Sequence, residues 1–161
     1  MANYTGADVI TASDVTKYQP DAFDFGLANN STEVVNFLAQ TTNDILRQLR
    51  IEWWPVYKTN IFTDITVLNT AEMVNTKVNL DQFERAGVYL FLGRFYLPSL
   101  TKFRPETEKD RFERMSEYYM SQYNSEWRMI LEDGVEYDVD ADGTIISNER
   151  EPLHGFRRLT R

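Results

Sequence analysis

The chain has no cysteine and a single histidine in its 161 residues. Without cysteine there is no disulfide, no thiolate nucleophile and no Cys-ligated zinc. The one imidazole, His154, stands beside Gly155 near the C-terminus, and a lone His there reads as a surface residue, because general acid–base work needs a positioned partner. Gly-x-Ser-x-Gly, His-Glu-x-x-His and P-loop patterns are missing too. No apolar run reaches membrane-spanning length. The stretch Met1-Ala2-Asn3-Tyr4-Thr5-Gly6 lacks the basic-then-apolar pattern of a signal peptide. These absences point to a non-enzymatic protein of a cytosol-like compartment. An enzyme built on a carboxylate pair is the weaker alternative, because such a pair cannot be recognised without geometry.

Basic side chains are scarce. There are 17 Lys and Arg against 25 Asp and Glu, a formal net charge of -8. Three of the 17 are Arg157, Arg158 and Arg161, in the acid-free stretch Leu153–Arg161, which leaves 14 against 25 elsewhere. An acidic body argues against gripping nucleic acid, since phosphate binding runs on Lys and Arg. It is compatible with a surface that DNA passes without being held.

What is abundant is aromatic. Phe, Tyr and Trp make up 14% of the chain. Such rings fill a core or build an interface, and both readings stay open for the excess. Trp53 and Trp54 are the candidate interface aromatics. A chain of this length fits one domain with a modest core.

The most specific local pattern is Asp138-Val139-Asp140-Ala141-Asp142-Gly143-Thr144-Ile145-Ile146-Ser147-Asn148-Glu149. It matches the calcium loop of an EF-hand. Asp138, Asp140 and Asp142 supply alternate carboxylates, and Gly143 stands where the chain turns sharply. Thr144 offers a backbone carbonyl and Glu149 a closing carboxylate. Four carboxylates wound about one centre repel unless a cation sits among them. Asp-Gly is also ordinary turn chemistry without a metal. Pro152 stops the helix that an EF-hand needs next. The loop is therefore read as a structural element, with Ca²⁺ as its candidate ion, rather than as a switch.

The remaining pattern is helical. Residues 1–30 read as a polar N-terminal segment in which Ser13-Asp14 can start a short turn. Residues 31–134 read as a helical bundle, 135–152 as an acidic hairpin or loop, and 153–161 as a docking tail. Asn30 with Glu33 is spaced as a capping box. Val34, Phe37, Leu38, Thr41, Ile45 and Leu49 then form one helical stripe, with Arg47 and Arg50 in the last turns. Trp53-Trp54-Pro55 ends or breaks that helix. The β-branched run Ile61–Leu68 reads as irregular or extended. Asn79 with Gln82 starts a second helix carrying Phe83, Leu90, Phe91 and Leu97, which Pro98 stops. Ala86 and Gly87 would let a neighbouring helix come close. A third helix starts near Pro105, Glu106 and Glu108 and buries Phe112, Met115, Tyr119, Tyr123, Trp127 and Ile130. Asp110 and Arg114 are a plausible ion pair within it. Gly134 ends it. Val135-Glu136-Tyr137 and Thr144-Ile145-Ile146 then read as strands flanking the acidic turn. The fold class expected is mainly α: three long helices with shorter pieces, a β-hairpin-like acidic turn and an extended tail. In that tail Phe156 and Leu159 are apolar anchors, and Arg157, Arg158 and Arg161 suit acids on a partner.

Three segments in this order resemble the head-to-tail connector, or adaptor, proteins of tailed bacteriophages. They are Leu49-Arg50-Ile51-Glu52-Trp53-Trp54, the helix from Leu80 through Gly87-Val88-Tyr89-Leu90-Phe91-Leu92-Gly93-Arg94-Phe95-Tyr96-Leu97-Pro98 to Thr101, and the Asp-x-Asp-x-Asp-Gly loop running into Arg157-Arg158-Leu159-Thr160-Arg161. The resemblance implies a structural virion subunit that forms a ring of copies beneath the portal. It would join the head to the next neck or tail component and line a channel that DNA crosses without specific binding. Its C-terminal residues would anchor in the portal. Assembly would take place in the host cytoplasm, with no membrane and no required cofactor. The complete calcium-like loop departs from what a connector needs. The alternative reading is a small Ca²⁺-binding or cytosolic protein-interaction module.

Overall fold

The computed structural model describes residues 8–62, 64–101, 111–145 and 149–151. The fold is mainly helical. Helix α1 spans Ala12–Tyr18 and a 3₁₀ turn spans Ala22–Phe25. Helix α2, Thr32–Gln48, runs through a π-helical stretch, Leu49–Trp53, into α3, Trp54–Ile61. Helix α4 is Ile65–Thr70, followed by 3₁₀ turns at Asn75–Lys77 and Leu80–Phe83. Helix α5, Glu84–Leu90, passes through a second π-helical stretch, Phe91–Tyr96, into α6, Leu97–Leu100. Helix α7 is Arg111–Asp133. Two short strands, β1 (Val135–Glu136) and β2 (Arg150–Glu151), pair antiparallel.

Proline does not act as expected. Neither Pro55 nor Pro98 ends its helix; each sits in the first turn of a continuing segment. In both cases a π-helical stretch comes first. The wide turn removes the i→i−4 bond that proline cannot make and gives its ring room beside the preceding carbonyls. The starts differ as well. Ser31 Oγ, not Asn30, accepts the Val34 N–H that opens α2 (3.3 Å). Thr11 and Asp14 form a reciprocal capping box for α1. Ile61–Leu68 is not extended throughout. Asp64 accepts the Thr66 N–H at 2.8 Å and so starts a helix that β-propensity argues against.

The chain divides into two compact units. One comprises Asp8–Ile45 and Phe83–Trp127. Here the stripe expected on α2 is buried at Val34, Leu38, Thr41 and Ile45, and that of α7 at Tyr119, Tyr123 and Trp127. Gly87 admits close neighbours: an added Cβ would lie 2.8 Å from Ile10 Cγ2 and 2.9 Å from Val9 Cγ1, in the segment ahead of α1, and 3.7 Å from Ile45 Cδ1 of helix α2. Gly93 faces backbone instead, since its Cβ would lie 2.9 Å from the backbone nitrogen of Met120. That approach lets the Ser116 hydroxyl donate to the Gly93 carbonyl at 2.6 Å, satisfying an acceptor in the π-helical stretch.

The other unit includes Leu46–Gln82 and the residues from Arg128 onward. Its core is aromatic. Trp53 stacks on Tyr57 at 4.2 Å between centroids, and Tyr137 packs against Trp53, Trp54 and Tyr57 at 5.3–5.7 Å. The Trp54 indole donates to the Ala71 carbonyl at 3.2 Å. Trp53 is 1% exposed and Trp54 5%. Both rings are accounted for by this core, so neither stands as an interface aromatic on the surface.

Strand pairing also differs from the expected register. Val135 faces Glu151 and Glu136 faces Arg150. Thr144 and Ile145 are not in a strand, and Ile146 lies outside the described residues. So do Pro105, Glu106, Glu108, Asp110, Pro152, His154 and the tail residues Phe156, Arg157, Arg158, Leu159 and Arg161.

Candidate cation site in the acidic loop

The loop begins where α7 ends. Gly134 takes φ 98°, a conformation costly for any other residue, and its N–H closes the helix on the Ile130 carbonyl (3.0 Å). Strand β1 then sets the direction of the chain. The Glu136 carbonyl accepts the Asn79 N–H at 3.0 Å. Its carboxylate accepts from Asn79 Nδ2 at 2.6 Å and lies 3.4 Å from the Arg150 guanidinium across the strand pair. The Gln82 side chain accepts the Glu136 N–H at 3.3 Å instead of capping the helix that follows.

Two contacts lock the start of the loop to Lys77. The Asp138 N–H donates to the Lys77 carbonyl at 2.9 Å, and the Lys77 ammonium donates to the Val139 carbonyl. Tyr137 N–H donates to the Glu149 carbonyl at 3.1 Å, bringing the last position of the loop back beside the first. The Val139 N–H donates to Glu149 Oε1 at 2.9 Å.

Within the loop the carboxylates turn the backbone inward. Asp138 accepts N–H groups from Gly143 (2.9 Å) and Asp142 (3.2 Å). Asp140 accepts from Asp142 (3.3 Å), and Asp142 from Thr144 (2.7 Å). Two residues with positive φ, Ala141 at 62° and Gly143 at 82°, supply the sharp bends. Asp138, Asp140 and Glu149 each offer a carboxylate oxygen within 4.8 Å of the others. Ligands on opposite sides of a Ca²⁺ ion at about 2.3–2.6 Å are up to ~5 Å apart, so one ion can touch all three. Asp138 and Glu149 are each 4% exposed. Each carboxylate oxygen has two lone-pair directions, so an oxygen holding an N–H can also face an ion.

Of the five residues expected around a metal, the structure gathers these three. Asp142 and Thr144 are exposed and stand outside that cluster. The flanks of the loop settle a second point. Among the described residues, strand β1 precedes the loop and strand β2 follows it, where an EF-hand switch has a helix on each side. Lys77 had no signal in the sequence: it lies 61 positions before Asp138. Comparison with protein-family models, with curated proteins and with solved structures gave no match to this chain.

Proposed function

We propose that this is a non-catalytic protein-interaction module whose acidic loop holds one divalent cation of the Ca²⁺ type as a structural clamp. The observation that carries the reading is the convergence of Asp138, Asp140 and Glu149, with the first and last of them buried. Two buried carboxylates facing one point repel each other, and a hard cation with oxygen ligands relieves that repulsion. The ion would tie the start of the loop to its end and so hold β2 against β1. Asp142 and the Thr144 carbonyl would complete the shell after a small inward movement of the exposed turn. Unfolding followed with and without Ca²⁺ tests this. At 100 times its dissociation constant the ion adds about 2.7 kcal/mol of stability. An unfolding midpoint that is the same in chelator and in millimolar Ca²⁺ contradicts the proposal.

A second reading places the module in a virion, as a head-to-tail connector subunit ringed beneath a portal. The resemblance of Leu49–Trp54, Leu80–Thr101 and the loop with its Arg-rich sequel supports it. So does the net charge of -8, which suits a channel that DNA crosses without sticking. The fold it asks for is a helical bundle with a hairpin-like acidic turn, and its anchor is Phe156, Arg157, Arg158, Leu159 and Arg161. Binding of the chain to a purified portal, with and without residues 153–161, tests it. Loss of binding on deletion supports the anchor, and undiminished binding removes it.

A further inference from the structure

The aromatic excess is not all core. In the unit made of Asp8–Ile45 and Phe83–Trp127, four tyrosines form a continuous strip of rings. Tyr18 of α1 meets Tyr89 of α5 edge-on, with 6.3 Å between centroids and 70° between planes. Tyr89 lies 6.0 Å from Tyr119 of α7, the planes 32° apart. Tyr119 meets Tyr118 edge-on at 5.4 Å and 72°. The inner pair is anchored. The Tyr119 hydroxyl donates to Gln19 Oε1 at 2.8 Å, and the Tyr89 oxygen accepts the Arg85 Nε–H at 3.1 Å. The end rings stand in solvent, Tyr18 at 40% exposure and Tyr118 at 59%. No described residue bonds the hydroxyl of either. Tyrosine offers a large, stiff contact area for little lost freedom, and Tyr and Arg are enriched where binding energy concentrates. An exposed ring at each end of a fixed pair has the build of a contact surface.

The strip also specifies what covers it. Its end hydroxyls are donors that need acceptors. A helix or a paired strand spends its carbonyls on its own hydrogen bonds. A polyproline II segment leaves its carbonyls free, and its prolines bring no N–H groups. Proline-rich segments of this form dock on aromatic-lined surfaces. At about 3.1 Å per residue, about six residues of such a chain run the length of four rings set in steps of 5.4–6.3 Å.

Charge supplies the remaining element. Lys17 lies 2.6 Å from Asp14 and 3.6 Å from Glu84, and Arg85 lies 3.6 Å from Glu126. In these pairs three acids face two cations. Glu84 is the looser of the two partners of Lys17 and is 36% exposed. Burial, and after it the Glu84 charge, raise the pKa of Tyr18, so that carboxylate is within electrostatic reach of the end ring. A cation flanking a proline run would pair there.

We propose that the strip Tyr18–Tyr89–Tyr119–Tyr118 docks a proline-rich segment of a partner protein in the polyproline II form, with an arginine of that segment on Glu84. This names the partner class of the interaction module above and rests on that reading, but not on its cation clamp.

Fluorescence anisotropy of labelled peptides titrated with the full chain tests this. The probes are short proline-rich peptides with one arginine at either end, and the same peptides with alanine in place of proline. The proline-rich set should bind, and the alanine set at least about tenfold more weakly, since it must be ordered first. Tyr18→Ala with Tyr118→Ala should weaken binding at least about tenfold. Tyr18→Phe with Tyr118→Phe keeps the rings and the fold, and should weaken it by less, through the lost donors. Glu84→Gln should weaken the arginine peptides and leave versions with glutamine for arginine unchanged. Equal binding of the proline and alanine sets overturns the proposal and leaves an interaction module standing. So does undiminished binding by both tyrosine double variants. Binding of neither set at millimolar concentration also overturns it, while the clamp is read separately, by the Ca²⁺ dependence of unfolding.

Discussion

The backbone N–H of Asp138 donates to the carbonyl of Lys77 at 2.9 Å, across 61 residues of sequence. The same lysine's ammonium donates to the Val139 carbonyl. One residue thus fixes both the position and the direction of the loop at its first candidate ligand. Lys77→Met keeps the backbone bond and much of the stem's packing but leaves the Val139 carbonyl without its charged donor. It should cost about 1–2 kcal/mol in urea unfolding. A change below a few tenths of a kcal/mol would mean the ammonium contributes nothing to the loop.

Such pairings mark the limit of what was legible. The stripe on α2 could be read because apolar spacing encodes a helix face directly, from Val34 to Ile45. The convergence of Asp138, Asp140 and Glu149 could be read because a loop of twelve positions brings its own residues together. The two prolines misled because spacing does not encode a π-helical turn, which absorbs Pro55 and Pro98 without stopping the helix. Helix α4 misled because Ile65, Thr66 and Val67 favour extended chain. The overlooked signal was Asp64 followed by Thr66, a cap that outweighs those propensities locally. Lys77 on the loop and Tyr137 among Trp53, Trp54 and Tyr57 are long-range partners, which one sequence does not pair.

The two tight glycines should respond differently to alanine. At Gly87 the added methyl meets side-chain methyls of Ile10 and Val9, which can shift. At Gly93 it meets the backbone nitrogen of Met120, which cannot move without α7. Gly93→Ala should cost about 3 kcal/mol and Gly87→Ala about 1–2, although alanine favours helix by ~1 kcal/mol. Calorimetric melting of both variants checks the order. Equal costs, or a gain at Gly93, would contradict the packing described.

Asp14 gives a pH dependence with a definite sign. Partial burial raises its pKa, but hydrogen bonds from Lys17 and Thr11 and the Lys17 charge outweigh it, so the carboxyl titrates below its ordinary 3.8. A depressed folded value means its contribution is present above pH 3.8 and fades as pH falls through the folded value. Asp14→Asn should therefore be less stable than the parent at pH 6, by about 1 kcal/mol for a weakened cap. The difference should shrink on acidification below pH 4. A constant difference from pH 6 to pH 2 would argue against the ionised cap.

Tyr137 joins the loop to the aromatic core. Its hydroxyl accepts the Val74 N–H, and its ring faces Trp53 and Trp54. Tyr137→Phe keeps the ring and strands that N–H, which should cost about 1–2 kcal/mol in denaturant unfolding. Because Asp138 is the next residue, tryptophan emission should also change when the loop takes up a cation. An unchanged spectrum on saturation would separate the loop from the core.

The cation clamp itself is tested most directly by calorimetric titration of Ca²⁺ into the full chain and into Glu149→Gln. The account predicts one site per chain in the parent, competed by Mg²⁺ only weakly, and at least about tenfold loss of affinity in Glu149→Gln, whose amide keeps the shape but loses the charge. No heat of binding in the parent at millimolar Ca²⁺, or equal affinity in the two proteins, would contradict it.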